Sequence, residues 1–182
     1  EKDISLPVDI LEEVTRINGY DNLEPKMPDF SVKTIAFNDQ LRTEHKARRL
    51  LAQAYGFSEI HNYSWFDETW LKTIGYEPQA ALEMANSSAE HNIRLQTTLL
   101  PNILAVTKKN AVLRDHFRIF ELGRVYLPLG ERERKEHNFL SGVSFQNKRS
   151  ADLEEHFRSV KGALEALAAQ LNVGKLAFEP GR

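Results

Sequence analysis

The chain has 182 residues, of which 41% are hydrophobic and 27% are charged, and its formal net charge is −2. This length allows one large hydrophobic core or a domain with the tail of another, and the charge excludes the global basic signature common in nucleic-acid-binding domains. The lack of cysteine excludes disulfides and thiolate metal sites, and no apolar run approaches the ~20 residues that span a bilayer.

The first predicted element is a helix that begins near Pro7 and ends at Gly19. Proline is tolerated in a first helical turn because its missing amide would be unpaired there, and glycine commonly ends a helix. Segment 21–36 is rich in proline, aspartate and asparagine, which is typical of a linker. We therefore expect residues 1–20 to be the end of one module, followed by this linker and by a core domain, 37–182, truncated at its C-terminus.

The core domain is predicted to be α+β, with a mainly antiparallel sheet flanked by helices. The run HFRIFELGRVYLP is apolar on both alternating faces, which indicates a central strand. A charged hairpin at 130–138 is expected to lead into the strand that pairs back with it. In chain order we predict a helix from Asn38 or Asp39 to just before Gly56, strands at 57–66 and 82–85, a helix at 99–112, strands at 116–128 and 139–145, a helix at 153–171 and a final strand at 176–178.

Carboxylates cluster at the start of the first helix. Asp9, Glu12 and Glu13 are spaced i, i+3 and i+4, which places them on one helix face, and Asp3 precedes them in an extended segment. Oxygen ligands of this kind suit magnesium or calcium. Acidic residues at a helix N-terminus are also favoured by the helix dipole alone, so the pattern leaves both interpretations open.

A basic stripe follows on the predicted helix that begins at Asn38 or Asp39. Arg42, Lys46 and Arg49 share a face there and form a candidate nucleic-acid contact, because lysine and arginine bind phosphate by displacing its counterions. The alternative is an ordinary solvated helix face. A second basic cluster is Lys108, Lys109 and Arg114.

Motif spacing alone identifies no catalytic machinery. The six histidines form no H-x3-H or H-E-x-x-H pair for zinc, and no P-loop or G-x-S-x-G element occurs. No two of the nine glycines stand at G-x-G spacing, so glycine-rich nucleotide cradles are absent.

Longer stretches carry a resemblance to a known family. DILEEVTRINGYDNLEPKMP resembles the D-L-I-E-E-V-A-R-I-Y-G-Y-D-N-I-P segment that closes the winged-helix-like module of bacterial phenylalanyl-tRNA synthetase beta chains. GFSEIHNYSW, NSSAEHNIRLQTTLLPNIL, FRIFELGRVYLP and FRSVKGALEAL are similar to the synthetase-like core of that chain, in the same order. The resemblance covers most of residues 3–171.

The resemblance implies a class II aminoacyl-tRNA synthetase-like fold whose copy in the beta chain is non-catalytic. It implies a cytoplasmic enzyme that uses ATP and Mg²⁺ to attach phenylalanine to tRNA-Phe, with the chemistry on the alpha chain, as a heterotetramer of two alpha and two beta chains. The beta core would pair with alpha and support tRNA binding. The metal site of the family, shared with alpha, falls by position on Asp3, Asp9, Glu12 and Glu13.

One departure bears on nucleotide binding. Where the family commonly has L-R-T-S-L-L-P, this chain has Gln96 in place of the arginine, and a neutral amide cannot pair with phosphate as a cation. Arg94 lies two residues earlier, so a shifted alignment would restore the charge. A stand-alone synthetase-like enzyme, disfavoured by the missing glycine-rich element, and a stand-alone nucleic-acid or protein binding module are the alternatives.

Overall fold

A computed structural model describes residues 3–87, 91, 93–129, 134–147 and 152–179. The chain divides into two compact units, Glu1–Ala36 and Phe37–Arg182, which are described separately. The division into a preceding module, a linker and a core domain stays a prediction. No helix in the described part of the chain is long and apolar enough to cross a membrane.

The first unit is built around the predicted helix, α1 (Pro7–Asn18), which is confirmed. Gly19 ends it with a φ of 86° and donates its amide to the carbonyl of Thr15, and a 3-10 turn, Tyr20–Asn22, follows. None of the α1 side chains is buried within this unit. The exposed apolar side chains of α1 are Val8, Ile10, Leu11, Val14 and Ile17.

The second unit opens with α2 (Asp39–Arg49), which continues as a π-helical segment, Leu50–Ala54. The side chain of Asn38 accepts a hydrogen bond from the amide of Leu41 at 3.0 Å and so caps α2, as predicted. The helical path ends before Gly56, whose φ is 66°.

Among the described residues, three strands form the sheet, in the spatial order β1 (Ser58–Glu59), β2 (His116–Pro128) and β3 (Arg134–Gln146). The prediction that β2 is central is confirmed. Its 13 residues pair antiparallel with β3, from His116 opposite Gln146 to Pro128 opposite Arg134. Only the two residues of β1 pair with it in parallel, so the sheet is mixed but mainly antiparallel.

The described part of this unit also contains the helices α3 (Glu68–Ile74), α4 (Leu100–Ala111) and α5 (Leu153–Leu171). Of these, α4 packs on the sheet and α3 packs on α4. The predictions of α4 and α5 are confirmed, whereas α3 was not predicted. One core cluster joins the π-helical segment, the sheet and α5, and it contains Leu51, Phe57, Phe120 and Ala163. Other buried apolar side chains are Phe66, Leu71, Leu99, Ile103 and Val125.

Three predicted strands are wrong or shorter than predicted. The strand expected at 57–66 pairs regularly only at Ser58–Glu59 and again at one bridge, between Trp65 and Leu95. Between these two places the backbone also bonds to side chains, as described below. The strand expected at 82–85 amounts to one bridge, between Glu83 and Arg94. Segment 176–178 has no strand partner within the described residues and lies as coil beside α5, with Lys161 Nζ 5.0 Å from the Phe178 ring. Residues 130–133 of the predicted hairpin lie outside the described residues.

Candidate functional site

The acidic cluster on α1 serves the helix start in this structure. Asp9 Oδ2 accepts hydrogen bonds from the backbone amides of Ser5 and Leu6, both at 2.7 Å. These bonds, that from Leu6 foremost, hold the pKa of the Asp9 carboxyl below its ordinary value. The Glu13 carboxylate is paired with Arg16 one turn later on the same helix.

The donor set fits a hard cation in its chemistry, but the arrangement does not make a closed site. Among the described residues, no group of three or more aspartate, glutamate or histidine side chains is placed to hold a metal ion. Two of the four predicted ligands, Asp9 and Glu13, already have protein partners. Asp3, Asp9, Glu12 and Glu13 together therefore fit at most one part of a metal site whose other ligands come from elsewhere, and this assignment stays a prediction.

The basic stripe of α2 is exposed along its length. Arg42 pairs with Asp39 at 3.1 Å, and both side chains are open to solvent. Lys46 and Arg49 line a shallow groove together with Gln170 of α5. The described structure thus keeps Arg42, Lys46 and Arg49 on the surface, where phosphate could reach them.

Arg48, which neighbours this stripe in sequence, has a different role. Its guanidinium is half-buried, donates to Glu59 of β1 at 2.8 Å and pairs with Glu44 of α2 at 3.5 Å. Glu44 in turn accepts a hydrogen bond from Asn138 of β3 at 2.6 Å. Arg48 and Glu44 therefore attach the inner face of α2 to the sheet and leave the outer face to the stripe.

Gln96 lies in the interior, with only 1% of its surface exposed. Its Nε2 donates to the carbonyl of Arg124 at 2.8 Å, and its Oε1 accepts from Asn102 Nδ2 at 3.0 Å. Its backbone carbonyl accepts a hydrogen bond from the amide of Tyr126, and its backbone amide donates one to the carbonyl of Ser64. All four contacts are made to the protein, so Gln96 connects loop, strand and helix and is not placed to meet a nucleotide.

Arg94 does not supply a free cation either. Its guanidinium binds the Glu68 carboxylate through two hydrogen bonds of 2.9 and 2.6 Å, and it binds Glu77 at 2.5 Å. These contacts, those to Glu68 first, raise the pKa of Arg94. Its side chain and that of Glu68 are 16% and 13% exposed, so the pair is a nearly enclosed part of the fold.

Two buried polar side chains hold the irregular segment after β1. Glu121, 2% exposed, accepts from the backbone amide and the side-chain amide of Asn62 at 2.7 and 2.8 Å. Asn102, at the start of α4, donates to the carbonyls of Tyr63 and Trp65 at 3.3 and 3.0 Å. Side chains from β2 and α4 thus satisfy backbone groups at Asn62, Tyr63 and Trp65, beside the single bridge between Trp65 and Leu95.

This held segment presents aromatic rings beside a lysine. The rings of Tyr63 and Trp65 are stacked, with centroids 4.5 Å apart and planes 7° apart. A groove of about 210 Å³ lies next to them and is lined on its other side by Asn102, Val106 and Lys109 of α4. We call this surface the aromatic groove, defined by Tyr63, Trp65, Asn102, Val106 and Lys109.

A second cavity, of about 430 Å³, lies between β2, β3 and the first turns of α5. Arg118 there donates to the carbonyl of Tyr55 at 2.9 Å and to the hydroxyl of Ser159 at 2.8 Å. His156 Nε2 lies 3.2 Å from the carbonyl oxygen of Ser144. The Arg118 guanidinium and the His156 imidazole are thus both in contact with the protein itself, and a second imidazole, that of His116, also lines the cavity.

Sequence reasoning missed Glu121, Asn102 and Tyr63 as members of a site. Glu121 is the one carboxylate in residues 116–128, and a lone carboxylate flanked by apolar residues in a predicted central strand is a usable signal of a buried polar contact. Asn102 in the first turn of α4 and Tyr63 inside a predicted strand carry no such signal, because their partners lie 37 to 39 residues away.

Comparison with known proteins gives the family. A family model described as the phenylalanyl tRNA synthetase beta chain CLM domain matches residues 23–182. The phenylalanine–tRNA ligase beta subunit of Leptospira interrogans serovar Lai is 30% identical over 175 residues, which are 94% of this chain and 22% of that protein. The beta subunit of Geobacter metallireducens is 30% identical over 191 residues, 99% of this chain and 24% of that protein. The chain thus spans about a quarter of the length of these curated relatives.

A solved structure supplies the fold. The pyrrolysyl tRNA synthetase PylSc of Desulfitobacterium hafniense matches with a TM-score of 0.56 and 19% identity, over 73% of this chain and 45% of that one. The predicted class II synthetase-like α+β fold is therefore confirmed. Since the family model covers all but the first 22 residues, the chain belongs to the family of phenylalanyl-tRNA synthetase beta chain CLM domains.

Proposed function

We propose that this chain acts within the beta subunit of a phenylalanine–tRNA ligase, as a non-catalytic scaffold that pairs with the catalytic alpha chain and supports tRNA-Phe binding. The observation that carries this proposal is the family match over residues 23–182, together with relatives of that name across 94–99% of the chain. The enzyme would be a cytoplasmic heterotetramer of two alpha and two beta chains and would use ATP with Mg²⁺. A stand-alone nucleic-acid or protein binding module is not favoured, because the relatives belong to this ligase.

The interior of the fold supports a scaffold role. At the position where the family commonly has arginine, Gln96 binds only protein groups. Arg94, the nearest substitute, is engaged by Glu68 and Glu77. A phosphate would have to displace these short contacts before either side chain could bind it, which favours catalysis on another chain.

Co-expression with the cognate alpha chain tests the proposal. The full-length beta subunit should co-purify with alpha, and the complex should attach phenylalanine to tRNA-Phe and support phenylalanine-dependent exchange of pyrophosphate into ATP. The chain of residues 1–182 alone should show neither activity. Robust aminoacylation or exchange without alpha would overturn the scaffold role.

The exposed stripe on α2 is proposed as a tRNA contact. Reversal of Arg42, Lys46 and Arg49 to glutamate should weaken tRNA binding by the full complex and flatten the plot of log affinity against log salt by about 0.9 for each phosphate that the variant no longer binds. Lys72→Glu on α3 is the control for each single reversal, Arg42→Glu, Lys46→Glu and Arg49→Glu, since Lys72 is exposed but lies outside the stripe. An unchanged affinity and salt slope in the triple variant would exclude the stripe as a tRNA-binding surface.

The acidic face of α1 is proposed as part of a magnesium site completed by the alpha chain. Asp9→Asn combined with Glu12→Gln should weaken Mg²⁺ binding to the assembled heteromer, as measured by calorimetry. Because Asp9 also caps α1, Glu12→Gln alone separates the loss of a ligand from the loss of a cap. Equal Mg²⁺ affinity in the wild type and both variants would eliminate the site.

A further inference from the structure

The aromatic groove combines an exposed stacking face with a cation. Tyr63 is 72% exposed although one face of its ring is covered by Trp65, so the other face meets solvent. An aromatic ring this exposed contributes little buried apolar area to the hydrophobic core. The ring is, however, an adequate surface for a planar group to stack on.

Lys109 lines the same groove as the rings of Tyr63 and Trp65. Asn102, Val106 and Lys109 lie on one face of α4 at positions i, i+4 and i+7, and all three line the groove. The adjacent residue makes a defined contact with another ring, since Lys108 Nζ lies 5.0 Å over the ring of Trp70. Two consecutive lysines of α4 are therefore each placed beside an aromatic side chain.

The backbone beneath the rings is held by the buried Asn102 and Glu121. Their hydrogen bonds to Asn62, Tyr63 and Trp65 fix the path of the segment. A ring on a fixed backbone loses little conformational freedom when a ligand stacks on it, so less of the stacking free energy is spent on ordering.

The ordinary explanation accounts for only part of this surface. Lysines in the last turn of a helix offset the negative end of its dipole, which would explain Lys108 and Lys109 without a ligand. It does not explain the exposed Tyr63 ring, which is stacked on the half-buried Trp65 in the groove that Lys109 lines. The one carboxylate at the groove, Asp67, accepts the amides of Thr69 and Trp70 at the start of α3 and is committed there.

We propose that the aromatic groove binds an unpaired nucleotide of RNA, with its base stacked on Tyr63 and its phosphate close to Lys109. A base in a duplex is covered on both faces, so only an unpaired nucleotide presents its face to the ring. Lys108, whose Nζ lies over the Trp70 ring outside the groove, adds positive charge nearby. This inference rests on the proposed function, because tRNA is the RNA that the complex would meet.

The test uses the full-length beta subunit in complex with alpha and a fluorescent, unstructured oligoribonucleotide of about twelve bases. Stacking on one aromatic ring is worth enough that Tyr63→Ala should weaken binding roughly tenfold. Tyr63→Phe keeps the ring and should bind as the wild type does. Lys109→Ala should lower the salt slope of binding by about 0.7, the value for one phosphate of a single strand, and Lys109→Arg should restore it.

Controls separate this inference from the proposed function. Lys72→Ala, an exposed lysine of α3 outside the groove, should leave oligonucleotide binding unchanged. Thermal melting checks that Tyr63→Ala remains folded, as expected for so exposed a side chain. Absent aminoacylation by the wild-type complex would overturn the proposed function, whereas normal aminoacylation with equal binding by wild type and Tyr63→Ala would overturn only the groove.

A protein partner is the competing occupant. If Tyr63→Ala left the oligonucleotide affinity unchanged but weakened co-purification of alpha, the aromatic groove would be a subunit contact and the RNA proposal would be wrong. Failure of the wild-type complex to bind the oligonucleotide would overturn it equally.

Discussion

The buried carboxylate of Glu121 in β2 accepts two hydrogen bonds from Asn62, although the two residues lie 59 positions apart in the chain. Removing the carboxylate would leave the Asn62 backbone amide without its acceptor in a water-poor interior. Glu121→Ala should therefore lower the free energy of unfolding by about 3 kcal/mol, as measured by urea denaturation. Glu121→Gln keeps one acceptor oxygen and should cost about 1 kcal/mol. Equal losses in the two variants would contradict this account.

Gln96 offers a second test of the buried polar network. Gln96→Leu has a similar volume but leaves the Arg124 carbonyl without its donor and Asn102 without one acceptor. We expect a loss of about 2 kcal/mol in the free energy of unfolding. Thr98→Val, at a half-buried position nearby, is the control and should cost less. A Gln96→Leu variant as stable as the wild type would show that the network does not stabilise the fold.

The Arg94–Glu68 pair should respond asymmetrically to substitution. Arg94→Ala leaves a nearly enclosed Glu68 carboxylate unpaired, which should cost about 3 kcal/mol. The contact to Glu77, whose side chain is 80% exposed, contributes little, so Glu77→Gln should change the free energy of unfolding by less than about 1 kcal/mol. Urea denaturation of the two variants measures both effects. Similar losses would contradict the distinction between them.

Stability at low pH should depend on Glu44. The hydrogen bond from Asn138, with a smaller contribution from Arg48, holds the pKa of the Glu44 carboxyl below its ordinary value of 4.5. A carboxyl with a lowered pKa in the folded state stabilises the fold above its unfolded pKa, and this contribution is lost as the pH falls through the folded pKa.

The stability advantage of the wild type over Glu44→Gln should accordingly be full near neutral pH. It should shrink as the pH falls below about 4.5. Urea denaturation at a series of pH values measures the difference. An advantage that grew on acidification would have the wrong sign and would rule out this role for Glu44.

The regular elements of the fold were predictable because their signals are local. Asn38 caps α2 and Asp152 caps α5, and the apolar pattern of residues 116–128 marks β2 over its full length. The missed helix α3 also carried local signals, since Asp67 caps its start and Gly75 ends it in the left-handed region. The capping residues Asp67 and Gly75 are therefore a sufficient local signal to predict α3.

The segment after β1 was not predictable in this way. Its residues favour a strand, yet its backbone pairs through only one described bridge, between Trp65 and Leu95, and is otherwise held in part by the side chains of Glu121 and Asn102. These contacts depend on residues distant in sequence, so propensity could not reveal them. The aromatic groove escaped prediction for the same reason, because it forms only when that segment and α4 come together.

The π-helical segment, Leu50–Ala54, can be neither shortened nor lengthened without moving the residues that follow it. Successive residues of a regular helix are rotated by about 100° about its axis. Deleting Gln53 would rotate Tyr55 by that amount, so Arg118 would lose the Tyr55 carbonyl and the Gly162 carbonyl would lose the Tyr55 hydroxyl. Residues 52–54 are exposed and free to vary in kind. We therefore expect this segment to tolerate substitutions more readily than insertions or deletions.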